Sequence, residues 1–110
     1  MMRAGIQTFG QAVAHARKAQ GLSQKDLAGR IHKEDGQAIT PQYLNDIEHD
    51  RRSPSSDHMV KEFAAVLGQS PDYLSWLVGK LPADIRESKA APEKVDQAFV
   101  AFRQVLSSGR

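Results

Sequence analysis

Helix starts and helix stops alternate along this chain, and no stretch of alternating apolar and polar residues comes between them. That punctuation points to an all-α fold. Thr8, with Gln11 three residues on, has the form of a capping box, and Phe9, Val13 and Ala16 follow at helical spacing until Gly21. Ser23 opens a second helix with Asp26 in its first turn, where the helix dipole favours an anion; Leu27, Ala28 and Ile31 make its apolar face. A polar stretch from His32 to Gln37 has no periodicity and reads as a loop. Thr40-Pro41 then supplies N-cap and N1 of a third helix, with Tyr43, Leu44 and Ile47 on its inner side and Arg51-Arg52-Ser53-Pro54 at its end. Ser55 or Ser56 caps a fourth helix, which turns Met59, Phe63, Ala64 and Leu67 inward and stops at Gly68. Ser70-Pro71 repeats the cap-plus-proline signal for a fifth helix carrying Leu74, Trp76 and Leu77, ended by Gly79. A connector, Leu81 to Ala91, holds one short turn at Ala83 to Ile85 and leads to a last helix from Pro92-Glu93.

At 110 residues the chain suits one domain with a self-standing core. It has no cysteine, which rules out disulfides, thiol nucleophiles and thiolate-bound zinc and suits a reducing cytosol. The longest apolar run, Phe63 to Leu67, is far too short to span a membrane, and Met1-Met2-Arg3-Ala4-Gly5 leads into no apolar signal segment. A cytoplasmic protein with no membrane association is therefore expected. The net charge of +2 permits nucleic acid as a partner without demanding it.

Catalysis finds little support. His15, His32, His49 and His58 have no short metal-ligand spacing, so surface or loop histidines are expected, with no metal and no cofactor. No serine lies in a Gly-x-Ser-x-Gly elbow, and the glycines form no phosphate-cradling loop. Acidic residues are spread among basic ones, as on a solvated face. An enzyme is not expected.

The informative segment runs from Leu22 to Pro54. A short helix precedes a second one that is polar in its first turn and apolar on its inner face at Leu44 and Ile47. Such a pair can push its second helix into a major groove, where the early side chains meet base edges. The residues resemble a known family. Arg17-Lys18-Ala19-Gln20-Gly21-Leu22-Ser23-Gln24-Lys25-Asp26-Leu27-Ala28 is similar to the opening of the phage-repressor-type (Cro-like, XRE family) helix-turn-helix. Thr40-Pro41-Gln42-Tyr43-Leu44-Asn45-Asp46-Ile47-Glu48 resembles its recognition helix. Arg52-Ser53-Pro54, Phe63-Ala64, Leu67-Gly68 and Asp72-Tyr73-Leu74 resemble its closing helices. The resemblance covers about residues 9 to 79. It implies a five-helix repressor-type domain over 9–79, preceded by an N-terminal arm over 1–8 and followed by a C-terminal helical extension over 80–110.

The resemblance also implies roles. Gln24 would contact a phosphate and brace the recognition helix, with Lys25 beside it. Thr40, Pro41, Gln42 and Asp46 fall where the family reads bases; Gln42 can pair bidentately with adenine and Asp46 can accept from cytosine N4. Tyr43 and Asn45 suit the DNA backbone or packing beside it, and Arg51 and Arg52 suit phosphates. Arg17 and Glu48 match a structural pair that ties the first helix to the third.

Three departures from the family stand out. The turn between the helices of such a unit takes about 3–4 residues; here it gains six, Lys33 to Ala38, and either a small wing or a surface for another protein is open. Pro41 offers no side-chain hydrogen bond at a reading position, only apolar contact with a thymine methyl. Asp50 stands where the family places glycine, and aspartate tolerates the left-handed backbone better than most residues.

The last helix carries Val95, Ala98, Phe99, Phe102, Val105 and Leu106 at steps of three and four, a single apolar stripe. That stripe must cover the domain's own core or meet a partner, and a homodimer is favoured, with Val95, Phe99, Phe102, Val105 and Leu106 as its contacts. The expected function is a sequence-specific transcriptional regulator of double-stranded DNA, a repressor binding a palindromic operator. The alternative is an antitoxin or immunity-type regulator that binds a second protein and autoregulates its operon.

Overall fold

A computed structural model of the protein describes residues 7–54 and 56–108. Seven helices are found among them: α1 (Phe9–Ala19), α2 (Gln24–Ala28), α3 (Pro41–Glu48), α4 (Asp57–Leu67), α5 (Pro71–Val78), α6 (Ala83–Arg86) and α7 (Pro92–Ser107). Most of the proposed arm, residues 1–6, lies outside the described residues, as does Ser55. Each of the first five helices starts on a side chain that accepts from its own first turn: Thr8 from Gln11, Ser23 from Asp26, Thr40 from Tyr43, Ser56 from Met59 and Ser70 from Tyr73. The cap of α2 is reciprocal, since the Asp26 carboxylate accepts from the Ser23 N–H at 3.1 Å. α4 and α5 end on Gly68 and Gly79 in the left-handed region.

The five helices close around one core. Phe63 of α4 is fully buried at its centre and meets Phe9 of α1 edge to face, with ring centroids 5.6 Å apart. Val13, Leu27, Leu44, Ile47, Met59, Leu67 and Leu74 fill the space around them. Two buried residues come from the long turn. Ile31 lies beyond the end of α2, not within it, and Ile39 immediately precedes the α3 cap. The Ile39 N–H donates to the Ile31 carbonyl at 2.9 Å, so both ends of the turn are anchored in the core. Ile39 and Leu44 hold the two positions of a hydrophobic staple, which sets the angle at which the chain enters α3.

Between those anchors the added residues form a short excursion closed by an antiparallel bridge between His32 and Ala38. It leans on α4. The His32 N–H donates to the Glu62 carboxylate at 2.8 Å, and His58 Nε2 donates to the His32 carbonyl at 2.8 Å. A hydrogen bond from the Ser56 side chain is the main reason the Glu34 carboxyl sits below its usual range.

α3 ends at Glu48, ahead of Arg51-Arg52-Ser53-Pro54, and Asp50 turns left-handed with φ of 60°. Its carboxylate then caps a different helix: Oδ2 accepts from the Thr8 hydroxyl at 2.7 Å and Oδ1 from the Gly10 N–H at 3.1 Å. The end of α3 is thereby fastened to the start of α1.

The C-terminal part departs from the closed set. α6 is held by Arg86, which donates to the Leu81 carbonyl at 3.0 Å and to Asp57 of α4 at 2.6 Å. α7 buries none of its residues. Trp76, one of the apolar residues carried by α5, is 54% exposed and meets Phe102 of α7 edge to face at 5.9 Å. No helix among the described residues is long and apolar enough to cross a membrane.

Candidate nucleic-acid interface

α2 and α3 pack through Leu27, Ala28, Leu44 and Ile47, which leaves the outer face of α3 to solvent. The pair is locked from behind by Arg17 of α1. Its Nε lies 2.6 Å from Glu48 Oε2 and its Nη2 lies 3.0 Å from Oε1, while Nη1 donates to the Leu22 carbonyl at 2.9 Å. The side chains are only 11% and 4% exposed, so this is a forked, nearly dry ion pair. Gln24, at the first position of α2, donates from Nε2 to the same Glu48 Oε1 at 2.9 Å. α1, α2 and α3 thus converge on a single carboxylate.

The chain of hydrogen bonds continues outward. Gln24 Oε1 accepts from Asn45 Nδ2 at 3.4 Å, and Asn45 Oδ1 accepts from Arg51 Nη2 at 2.7 Å. Arg51 also grips Asp46, with Nε 3.1 Å and Nη2 3.0 Å from Oδ1. The same oxygen accepts from Gln42 Nε2 at 3.1 Å. From Arg17 to Gln42 the side chains are linked without a break, from a buried end to an exposed one.

The other sequence-predicted residues take simpler places. Thr40 caps α3, its hydroxyl accepting from the Tyr43 N–H at 3.0 Å, and Pro41 is exposed at N1. Lys25 is exposed on α2. The Arg52 guanidinium stacks over the half-buried Tyr43 ring, 4.3 Å from its centroid, so Arg52 is steered back over α3. Nearby, the Ser23 backbone N–H and then its side chain hold the Asp26 carboxyl below the usual carboxylate range.

Gln42, Asn45, Asp46, Arg51 and Arg52 therefore share one outer surface formed by α3 and the loop after it. Val95, Phe99, Phe102, Val105 and Leu106 lie apart from it on α7. Phe99 is half-buried, with the Arg103 guanidinium 5.9 Å from its ring centroid, and Val105 is 71% exposed. Reasoning from sequence missed the Gln42–Asp46–Arg51 cluster, although Gln42 and Asp46 are one helical turn apart and such pairs meet. The Asp50 clamp left no local signal at all. Among the described residues, no group of acidic and histidine side chains is placed to hold a metal ion.

No curated protein sequence matches the chain. Among solved structures, a chain of the SinR protein/SinI protein complex is similar, with a TM-score of 0.50 and 22% identity over 93% of this chain and 82% of that one. That likeness is one of fold. A helix-turn-helix family model matches residues 13–74, from the middle of α1 into α5. That match spans more than half of the chain and contains the whole α2–α3 unit with its Arg17–Glu48 lock, and the protein belongs to the phage-repressor-type (XRE) helix-turn-helix family of DNA-binding transcriptional regulators.

Proposed function

We propose that the protein is a repressor that binds a palindromic operator as a homodimer, with α3 lying in the major groove. The observation that carries this reading is the exposed polar surface of α3, braced from behind by the Arg17–Glu48–Gln24 lock. Gln42 faces the bases with Asp46 one helical turn behind it, and Thr40 and Pro41 lie at the entry of the helix. Tyr43 and Asn45 lie beside the backbone, and Lys25, Gln24, Arg51 and Arg52 serve the phosphates. One such helix covers a half-site; two, set ~34 Å apart by a two-fold axis, read a palindrome. The exposed stripe of α7 supports dimerisation, because a free apolar face of that kind is covered in soluble proteins. The domain division follows: the DNA-binding unit over 9–79, and the connector and dimerisation helix over 80–110. Repression acts by occluding a promoter, in the cytoplasm where the DNA lies.

Selection of bound sites from random duplex DNA tests the reading. A palindromic consensus is expected, with affinity falling as salt rises. Gln42→Ala is expected to cost ~1–3 kcal/mol on that site and to relax one base position. Binding without sequence preference would overturn it.

The same α7 stripe admits a second reading, in which a distinct small protein covers it and DNA binding is autoregulatory, as in antitoxins. Co-purification of a stoichiometric partner from the native host, with no homodimer by sedimentation, would favour that reading.

A further inference from the structure

Resting on the DNA-binding reading above, we infer that Asp46 is a positioning residue, pinned by Arg51, that holds the Gln42 amide in the orientation that reads adenine. The hydrogen bonds gathered on one oxygen of the Asp46 carboxylate carry this role. Asp46 Oδ1 already accepts from three donors: Gln42 Nε2 at 3.1 Å, Arg51 Nε at 3.1 Å and Arg51 Nη2 at 3.0 Å. A carboxylate accepts and never donates, so Gln42 must turn its NH2 group, not its carbonyl, toward Asp46. A primary amide has one N–H on the same edge as its carbonyl oxygen and one on the far edge. When Asp46 takes the far N–H, the remaining edge presents one acceptor and one donor side by side. That is the pattern that pairs with adenine N6 and N7. With no fixed acceptor behind it, the amide can flip, and donor and acceptor exchange places.

Arg51 makes the arrangement compatible with DNA. A lone carboxylate among phosphates would be repelled, and the guanidinium offsets its charge at contact distance. Arg51 is itself fixed, since Nη2 also donates to Asn45 Oδ1 at 2.7 Å and Asn45 is tied to Gln24. The orientation of Gln42 is thus transmitted from the braced interior of the α2–α3 unit.

The test compares sites selected from random duplex DNA by the full-length protein and by Gln42→Ala, Asp46→Ala, Asp46→Asn and the Gln42→Ala/Asp46→Ala double variant. Asp46→Ala is expected to lose adenine preference at the same base pair as Gln42→Ala, by ~5-fold or more. The unfolding midpoint of each variant, measured without DNA, reports that it is folded. Asp46→Asn keeps an acceptor and should retain part of the preference, whereas a pure charge effect would make Asn and Ala alike. The double variant should discriminate no worse than Gln42→Ala alone. Loss of a cytosine preference at a different base pair in Asp46→Ala, with adenine retained, would make Asp46 a base reader and overturn the inference. Retention of every preference would overturn it too. Failure of the wild-type protein to select any sequence would instead sink the DNA-reading proposal itself, and would be seen in the wild-type arm alone.

Discussion

Gly10 sits where α1 passes closest to the end of α3. A Cβ there would overlap the Ile47 carbonyl oxygen and lie 2.7 Å from both the Glu48 carbonyl oxygen and Asp50 Oδ1. Two of these neighbours are backbone atoms that cannot swing aside. Gly10→Ala is therefore expected to destabilise the fold despite its helix position, by ~1–3 kcal/mol as for other overpacked sites. Urea unfolding checks this, and a neutral or stabilising result would mean that α1 can slide off α3. The Arg17–Glu48 pair makes a second case. Removing one partner leaves a buried charge unanswered, at a cost of up to ~3–5 kcal/mol, while replacing both restores much of it. Arg17→Met and Glu48→Leu should each be more damaging than half of the double variant's loss suggests. Strictly additive losses would show that the pair is energetically uncoupled.

Elements are held by ties of very different strength. The α1–α5 set shares one dry core, whereas α6 depends on the half-exposed Asp57, which lies 2.6 Å from Arg86 Nη2 and 3.7 Å from Lys80 Nζ. The hydrogen bond from Arg86 is the main cause that holds the Asp57 carboxyl below the usual carboxylate range. Its value when folded is lower than when unfolded, so the tie is complete above the unfolded value and weakens as the pH falls through the folded one. Acid should thus free α6 before the core unfolds. Amide exchange of Arg86 and Glu87, taken relative to the intrinsic rate at each pH, is expected to rise at low pH in the wild type. In Asp57→Asn it should be fast already at neutral pH. Equal protection in both proteins across the titration would remove Asp57 from the role. The long turn is tied more firmly, since Ile31 and Ile39 anchor it in the core and Glu62 and His58 hold its first residue.

At the scale of the whole molecule, α7 is the element that the core does not need. It buries no residue, and Phe102 meets the rest of the described chain at Trp76, itself exposed. Removing the chain from Pro92 onward should leave a protein with an unfolding midpoint close to that of the full chain. The same variant should sediment as a monomer and bind its operator much more weakly, as should Phe99→Ser/Phe102→Ser. A truncated form that remains dimeric would place the interface in α1–α5. Loss of folding would mean that α7 contributes to the core after all.

Helix starts and stops were legible in the sequence because a cap acts within its own turn: Thr8, Ser23, Thr40, Ser56 and Ser70 each accept from the residue three positions on. Apolar spacing identified most of the core for the same reason, since it repeats over one or two turns. The Arg17–Glu48 contact was anticipated through the family resemblance, not through any spacing of its own. Other features depended on which surfaces meet once the helices pack. Asp50 reaches residues 40 and 42 positions away, and only the crossing of α1 over α3 brings them together. Ile31 was legible as apolar in the sequence, whereas Ile39 became core because the polar turn before it is closed across its base. The stripe on α7 was written in its sequence. Whether it covers the domain or stands away from it depends on the path of the connector, and that was decided by tertiary packing, which filled the α1–α5 core without it.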